Sequence, residues 1–442
     1  MKSILKNLSK LMSVQSLSTI LILIQTIVLT RVFGSEAFGL FSFALSISAL
    51  AVLIFSAGLD QVLMRDIARI GKGVMYSDRW KGTLRLIKLY VIPIALIFST
   101  CASITIWFTR ISGDYQLPLL AVFLMLPFVI ARKYTEAICL GTKQAIRSIT
   151  GSQIVYPLLM ILGGGFIYIL GVQSGALSIS LIYSLACVVS LIASFLLISS
   201  ALRQMRLESP SLNSSQAVTF KSSKCPSDKE LLISGIHFSL VSMGFVLGQH
   251  INVLLMGVFS SPENVAIVRI ASRVAEMAAL MRTIILLQYK PLMAEAYGKG
   301  DTKLLQEHAT LMVKLCVLTG IPITIFLWVF AAQVMAIFGP EFVEGAWVMR
   351  VYIVGVLLLI LCGPCNSILA LTGNEQHASK LVWIGILVNV VLCITLIPKW
   401  GALGCAVASS TSMLVFGFLS VRAARRLIQV ETSILGVFGH RP

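Results

Sequence analysis

The sequence consists mostly of long apolar segments separated by short polar ones. Each segment holds about 20 residues, enough for an α-helix to cross the hydrocarbon core of a bilayer. The segments are apolar throughout, without the period-two alternation of barrel strands, which indicates helices. Twelve spans are predicted at residues 13–32, 38–59, 88–109, 116–138, 151–171, 176–200, 233–258, 264–287, 311–333, 347–371, 378–397 and 402–421.

The composition supports an all-α integral membrane protein. Hydrophobic residues make up 57% of the 442 residues and charged residues only 12%, against roughly 25% charged residues in soluble domains. A soluble enzyme is therefore excluded. No Walker sequence, H-E-x-x-H sequence or Ser/His/Asp constellation is present, so the chain is predicted to be neither an enzyme nor, by itself, an ATP-driven pump. No cofactor is expected.

The distribution of charge predicts the orientation of the spans. The chain has 35 Lys and Arg against 18 Asp and Glu, a net charge of +17. If the N-terminus is cytoplasmic, 28 of the 35 basic residues fall in cytoplasmic segments, as the positive-inside rule requires. The outer ends keep only Arg31, Arg110, Arg350 and Lys399. Both termini are thus predicted to be cytoplasmic, with anionic membrane lipids as partners of the basic loops; nothing points to nucleic acid.

The two halves of the chain resemble each other. Glu36–Leu40 parallels Glu263–Ile267, and the triplet that begins at Gly175 recurs at Gly401. An internal repeat with six spans per half predicts two bundles in the same orientation, related by a pseudo-two-fold axis along the membrane normal. The predicted organisation is a six-helix bundle at 1–202, a cytoplasmic linker at 203–232, a six-helix bundle at 233–430 and a cytoplasmic tail at 431–442.

Span 8 carries the most informative polar residues. Arg269, Arg273 and Glu276 are spaced four and three residues apart, which places them on one helical face near the membrane midplane. Ionisable groups at this depth are functional candidates. One interpretation is a cationic stripe for an anionic substrate, with Glu276 orienting an arginine or taking part in ion coupling. The alternative is a self-neutralising Arg273–Glu276 pair that holds span 8 against a neighbour.

Polar residues of spans 1 and 7 are the next candidates. Gln25 and Asn252 are repeat counterparts 227 residues apart, so both are predicted to face a substrate path, unless each only bonds a neighbouring helix. His250 is a candidate for ion coupling or a structural histidine.

Three charged residues near span ends complete the candidate set. Arg31 and Lys133 are candidates for substrate contact, and Asp60 for ion coupling. Snorkelling and topology explain Lys133 and Asp60 equally well.

Several stretches resemble the polysaccharide-flippase branch of the multidrug/oligosaccharidyl-lipid/polysaccharide exporter superfamily. They are Arg31-Val-Phe-Gly-Ser-Glu-Ala-Phe-Gly39, Gly58 to Arg65, Arg269 to Glu276, Phe338-Gly-Pro-Glu341, Asn366 to Gly373, and Ile397-Pro-Lys-Trp-Gly-Ala-Leu-Gly404. The resemblance implies a MATE-like bundle and a Wzx-type flippase. Such a flippase moves undecaprenyl-diphosphate-linked O-antigen units to the periplasmic leaflet of the bacterial inner membrane, for lipopolysaccharide biosynthesis, as a secondary transporter with alternating access.

The resemblance also bears on individual residues. Relatives bind the diphosphate with arginines, and Arg273 matches one such position. The chain departs from the pattern at Asn252, where many relatives have Asp, and at Gln25, where lipid II flippases have Arg. Proton or sodium coupling stays open, as do a polysaccharide polymerase and a chain-length regulator as partners. The alternatives are a multidrug/cation antiporter of the same superfamily, which would want acidic cavity groups, and a scaffold for a glycan polymerase.

Overall fold

A computed structural model describes residues 2–70, 78–109, 115–142, 144–171, 175–208, 228–299 and 301–428, and every regular element in these ranges is a helix. Contacts divide the chain into two units, Met1–Val246 and Leu247–Pro442. The predicted tail at 431–442 and most of the predicted linker, from 209 to 227, lie outside the described residues.

The first unit is built from nine helices and the beginning of a tenth. They are α1 (Lys2–Phe55), α2 (Leu59–Ile70), α3 (Asp78–Leu86), α4 (Ile92–Thr109), α5 (Gln116–Leu124), α6 (Leu126–Gly141), α7 (Ala145–Ile149), α8 (Val155–Leu170), α9 (Ala176–Glu208) and α10 (Asp228–Phe259). Short π-helical stretches at Ile87–Val91 and Thr150–Ile154 join α3 to α4 and α7 to α8. Gly34 breaks α1 with φ 78° and ψ 174°, a conformation that essentially only glycine adopts.

The second unit continues from α10. Its helices are α11 (Pro262–Ala278), α12 (Leu280–Gly298), α13 (Thr302–Val329), α14 (Ala331–Phe338), α15 (Ala346–Cys362), α16 (Cys365–Leu371) and α17 (Glu375–Leu427), with a 3₁₀ turn at Pro340–Gly345. Gly401 breaks α17 with φ 54° and ψ −131°. Gly363 and Pro364 separate α15 from α16, so span 10, predicted at 347–371, is kinked at this point.

The helices account for about twelve crossings. Eight helical segments of the described chain are long and apolar enough to span a membrane, or nine if α5 and α6, bent by 45°, form one span. Two of the eight, Ser13–Phe55 and Glu375–Leu427, contain the breaks at Gly34 and Gly401 and are each long enough for two crossings. The pair α11 and α12 is outside this set and occupies the place of predicted span 8. The protein is thus a multi-pass membrane protein of the predicted class.

Span 8 differs from its predicted form. A continuous helix was expected over 264–287, but α11 ends at Ala278 and α12 runs on to Gly298. Ala279, with φ −85° and ψ −5°, interrupts the regular helix between them. The hydrophobic pattern gave no sign of this break because Ala279 is neither glycine nor proline.

The division between the two contact units falls inside α10, after Val246. The N-terminal part of α10 packs on the first unit, where Gly235 lies directly against Gly58. Both glycines are required there, since a Cβ on either would collide with the backbone of the other segment. Ala57 and Gly58 adopt positive φ values of 48° and 65° as α1 gives way to α2.

The outward surface of the helices is apolar. Ile169 is 82% exposed and Leu318 is 71% exposed, which would be unfavourable in water but is expected for side chains that face lipid. Inside the first unit, a core that includes Leu59, Leu63 and Leu126 packs α2 against α6. Buried apolar side chains therefore hold neighbouring helices together, and lipid covers the exposed apolar side chains.

We expect Gly58→Ala to destabilise the protein far more than Gly171→Ala. Gly171 has a similar φ of 61° but nothing within 4 Å of an added Cβ, so it measures backbone strain alone, at about 1 kcal/mol. Gly58→Ala adds overlap with α10, worth about 1–3 kcal/mol more. Thermal unfolding in detergent, followed by size-exclusion chromatography, gives the comparison. Equal losses would contradict the close approach of α2 and α10.

Candidate functional site

The predicted stripe lies on the uncovered face of α11. The opposite face of this helix is apolar and buried, from Val265 to Ala278, and packs mainly on α15 and α17. Arg269 and Arg273 are partly exposed in the second unit, and Glu276 is half-exposed. Because this face carries charge, it is suited to water or a polar ligand rather than to lipid.

The stripe is only loosely neutralised. Arg273 Nη1 lies 3.4 Å from Glu276 Oε2, and the two side chains are 38% and 50% exposed. Arg269 forms no side-chain hydrogen bond or ion pair within the described residues, and His250 lies in electrostatic range of both arginines. The predicted Arg273–Glu276 pair is therefore present, but an exposed ion pair of this length is weak. The stripe keeps an excess of one positive charge.

Asn252 has a structural partner. Asn389 Nδ2 on α17 donates to Asn252 Oδ1 at 2.8 Å. Ser409 Oγ lies 3.5 Å from Asn389 Oδ1, and Tyr352 and Cys405 complete a neutral buried cluster of α10, α15 and α17. This is the predicted alternative in which the amide bonds a neighbouring helix.

Gln25 occupies a similar position in the first unit. It is 9% exposed, and its amide lies near the hydroxyl group of Tyr156 on α8. Tyr183 of α9 contacts Tyr156 with ring centroids 6.3 Å apart. The first and fifth spans of each half are thus joined by a buried polar contact, which agrees with the repeat inferred from the sequence.

Asp60 and Lys133, predicted as separate candidates, are brought together. Lys133 Nζ on α6 lies 3.5 Å from Asp60 Oδ2 and donates to Ser56 Oγ at 3.0 Å. Tyr134 OH donates to Ser56 O at 2.8 Å, which fixes α6 at the break between α1 and α2. The Asp60 side chain is 4% exposed, and its Oδ1 atom has no hydrogen-bond partner among the described residues.

Arg132, next to Lys133 on α6, is a further charged residue at the end of predicted span 4. Its guanidinium lies over the Tyr156 ring at 5.4 Å from the centroid, and Nη1 donates to Ser190 Oγ at 3.3 Å. Glu136 Oε1 is 3.6 Å from Nε. Arg132 and Glu136 are opposite charges four residues apart in an apolar segment, a spacing that predicts their contact. Snorkelling at the end of a span explains the same residues equally well.

The candidates are distributed over both units. Arg269, Arg273, Glu276, His250 and Asn252 belong to the second unit. The first unit holds the others, namely Gln25, Arg31, Asp60 and Lys133. Arg31 is exposed near the Gly34 break of α1. Within the described residues, no group of three or more His, Cys, Asp or Glu side chains is arranged to hold a metal ion.

The sequence matches known families and proteins. The profile described as "Polysaccharide biosynthesis protein" matches residues 4–296, and the MatE profile matches residues 238–395. A Haloferax volcanii protein described as "Probable low-salt glycan biosynthesis flippase Agl15" is 24% identical over 398 residues, which cover 87% of this chain and 76% of that protein. A second protein of that organism, "Probable flippase AglR", is 23% identical over 40% of this chain and 38% of its own length.

Solved structures show the same fold. An inward-facing multidrug resistance MATE family transporter of the MOP superfamily superposes with a TM-score of 0.69 at 14% identity, over 96% of both chains. The lipid II flippase MurJ, in an inward closed conformation, gives a TM-score of 0.61 at 13% identity, over 94% of this chain and 87% of that one. The predicted resemblance to this exporter superfamily is confirmed.

A double-mutant cycle should show that Asp60 and Lys133 are coupled. Lys133→Met leaves a buried, unpaired carboxylate and is expected to cost about 3 kcal/mol of unfolding free energy. Asp60→Asn in the Lys133→Met background should recover part of that loss, as measured by thermal unfolding in detergent.

The exposed pair Glu295 and Lys299 is the control. Its hydrogen bond is shorter, at 2.6 Å, and lowers the pKa of Glu295, but the side chains are 61% and 64% exposed. Lys299→Met should leave stability unchanged because water screens the pair. Additive losses at Asp60 and Lys133 would show that the two side chains do not interact.

Proposed function

The chain belongs to the polysaccharide biosynthesis protein family, and from this membership we propose that it is a flippase for a lipid-linked oligosaccharide. It is a transporter rather than an enzyme, as its MATE and MurJ-like fold and its glycan-flippase relative indicate. The substrate proposed is a polyprenyl diphosphate, of the undecaprenyl type, that carries an O-antigen or similar repeat unit. Transport runs from the cytoplasmic to the periplasmic leaflet of a bacterial inner membrane.

The uncovered stripe of α11 is the observation that carries this proposal. A diphosphate must leave water when it crosses the membrane, so the transporter has to supply charge that replaces hydration. Arg269 and Arg273 offer planar guanidinium groups that bind phosphate oxygens bidentately and never lose their proton. Because Glu276 neutralises only part of this charge, the stripe attracts an anion. A wholly neutral helix face would not.

A cation antiporter is the less favoured alternative. It requires an acidic group that is free to bind a cation or proton, yet Glu276 is shared with Arg273 and Asp60 with Lys133. Glu276, His250 and Asp60 remain the candidates for coupling flipping to a proton or sodium gradient. Drug resistance conferred by overexpression, with normal surface glycan in a deletion strain, would favour the antiporter.

Two further parts of the proposal concern the surroundings of the transporter. A polysaccharide polymerase and a chain-length regulator would receive the flipped unit on the far side.

With about twelve spans, an even number, both termini would lie on the same side of the membrane, and the positive-inside pattern makes that side the cytoplasm. Fusions of green fluorescent protein to each end should therefore fluoresce, whereas alkaline phosphatase fusions at the same positions should be inactive.

Arg273→Ala should abolish or greatly reduce surface polysaccharide while the protein stays in the membrane. Loss of a charge-assisted hydrogen bond costs about 1.5–3 kcal/mol, which corresponds to about a 10- to 100-fold slower flip. Arg273→Lys should be intermediate because it keeps the charge without the planar fork. Surface glycan in a deletion strain, normalised to membrane protein level, gives the measurement.

Arg422→Ala is the matched control for this experiment. Arg422 is an exposed arginine near the C-terminal end of α17 in the same unit, and it does not belong to the stripe, so its loss should leave surface glycan unchanged. Normal glycan in both Arg269→Ala and Arg273→Ala would remove the stripe from the transport mechanism.

A further inference from the structure

Arg350, on the second turn of α15, contacts two tryptophan rings. Its Cζ atom lies 5.5 Å from the Trp328 ring centroid and 4.7 Å from that of Trp347. Both distances fall within the range of cation–π attraction. Arg350 Nε also donates to Trp328 O at 3.2 Å, which satisfies a carbonyl at the C-terminal end of α13. The guanidinium is therefore held in place on three sides.

The terminal nitrogens of this guanidinium are available. Nη1 and Nη2 have no hydrogen bond or carboxylate partner within the described residues. The exposed Glu341 and Glu344 of the neighbouring 3₁₀ turn form no ion pair with Arg350 there. A rigid cation with free donors, which no acidic side chain neutralises, suits a phosphate group.

The surroundings of Arg350 place it at the edge of the membrane, on the lipid side. Trp328 is the last residue but one of α13, and Arg350 lies near the start of α15, so both stand at the ends of spans. Apolar neighbours are open to the outside: Phe326 is 57%, Val329 51% and Trp347 62% exposed. Tryptophan is typical of the interface between hydrocarbon and headgroups.

We propose that Trp328, Arg350 and Trp347 form a binding site for the phosphate of an anionic phospholipid. The exposed apolar side chains beside the site would contact acyl chains, while Nη1 and Nη2 would bind the headgroup phosphate. Arg350 is one of four basic residues that the charge pattern assigns to the outer side, where the positive-inside rule gives no reason for a basic residue. A luminal substrate fits less well, because the surface around the site is lipid-facing.

Native mass spectrometry of the purified full-length protein tests this site. Delipidated protein is titrated with phosphatidylglycerol and with phosphatidylcholine of the same acyl chains. Wild type should prefer phosphatidylglycerol, and Arg350→Gln should weaken its tightest binding about fivefold, the contribution of one basic residue near a membrane surface. Binding of phosphatidylcholine should change much less.

Lys399→Gln is the matched control. Lys399 is another basic residue assigned to the outer side and is exposed on α17 beside Trp400, but it has no pair of rings around it in the described structure. Its loss should leave the tightest binding unchanged. An equal loss of phosphatidylglycerol affinity in both variants would show that general surface charge, not this site, attracts the lipid, and would overturn the proposal. Unchanged affinity in Arg350→Gln would overturn it as well.

A second variant keeps the test valid if Arg350→Gln folds poorly, since that change also removes the bond to Trp328 O. Trp347→Leu retains the bond and the charge but removes the nearer ring, and it should also weaken phosphatidylglycerol binding. Two other results would contradict the proposal. One is binding of a polyprenyl diphosphate at this site that phosphatidylglycerol does not compete with. The other is a dimer of the wild-type protein that Arg350→Gln dissociates while lipid binding stays unchanged. None of these measurements depends on flipping.

Discussion

Polar groups that this chain carries to membrane depth must find partners there, because hydrocarbon offers none. At the break between α1 and α2, most of the nearby polar groups and charges pair with one another, although Asp60 Oδ1 has no hydrogen-bond partner among the described residues. At the junction of α1 and α2, Ser56 accepts from Tyr134 through its carbonyl and from Lys133 through its hydroxyl. The ion pair of Lys133 with Asp60 then ties α6 to the same junction. These contacts stabilise the break between α1 and α2.

The same requirement explains the symmetry of the two halves. Gln25 with Tyr156 and Asn252 with Asn389 each join the first and fifth spans of a half. These contacts are neutral, so they avoid the cost of burying a charge while still fixing which helices pair. The two pairs consist of different residue types, but each joins the first and fifth spans of its half.

Sequence reasoning reached the fold more easily than the site. Apolar length and the positive-inside pattern specify spans because hydrocarbon thickness is a fixed constraint, and the glycine breaks at Gly34 and Gly401 fell between spans that the pattern had already separated. The break at Ala279 was missed, since no residue type marks it. The pairing of Asp60 with Lys133 was also out of reach, because 73 residues separate them and only packing brings them together. Helical spacing was enough to predict that Arg273 shares a face of α11 with Arg269 and Glu276. It could not predict which helices pack against the opposite face.

Arginines of this chain show how surroundings decide the role of a side chain. Arg65 is held by Asp66 at 3.1 Å, by Ser234 and by the Phe238 ring, so its charge and donors are used within the first unit. Arg273 has a single long contact to an exposed carboxylate and keeps donors for a ligand. Arg350 rests on aromatic faces, which attract a cation without cancelling its charge. Since guanidinium stays protonated in all three settings, the differences arise from desolvation and partner geometry alone. An arginine surrounded by acceptors is structural, and one left with free donors is available to bind phosphate.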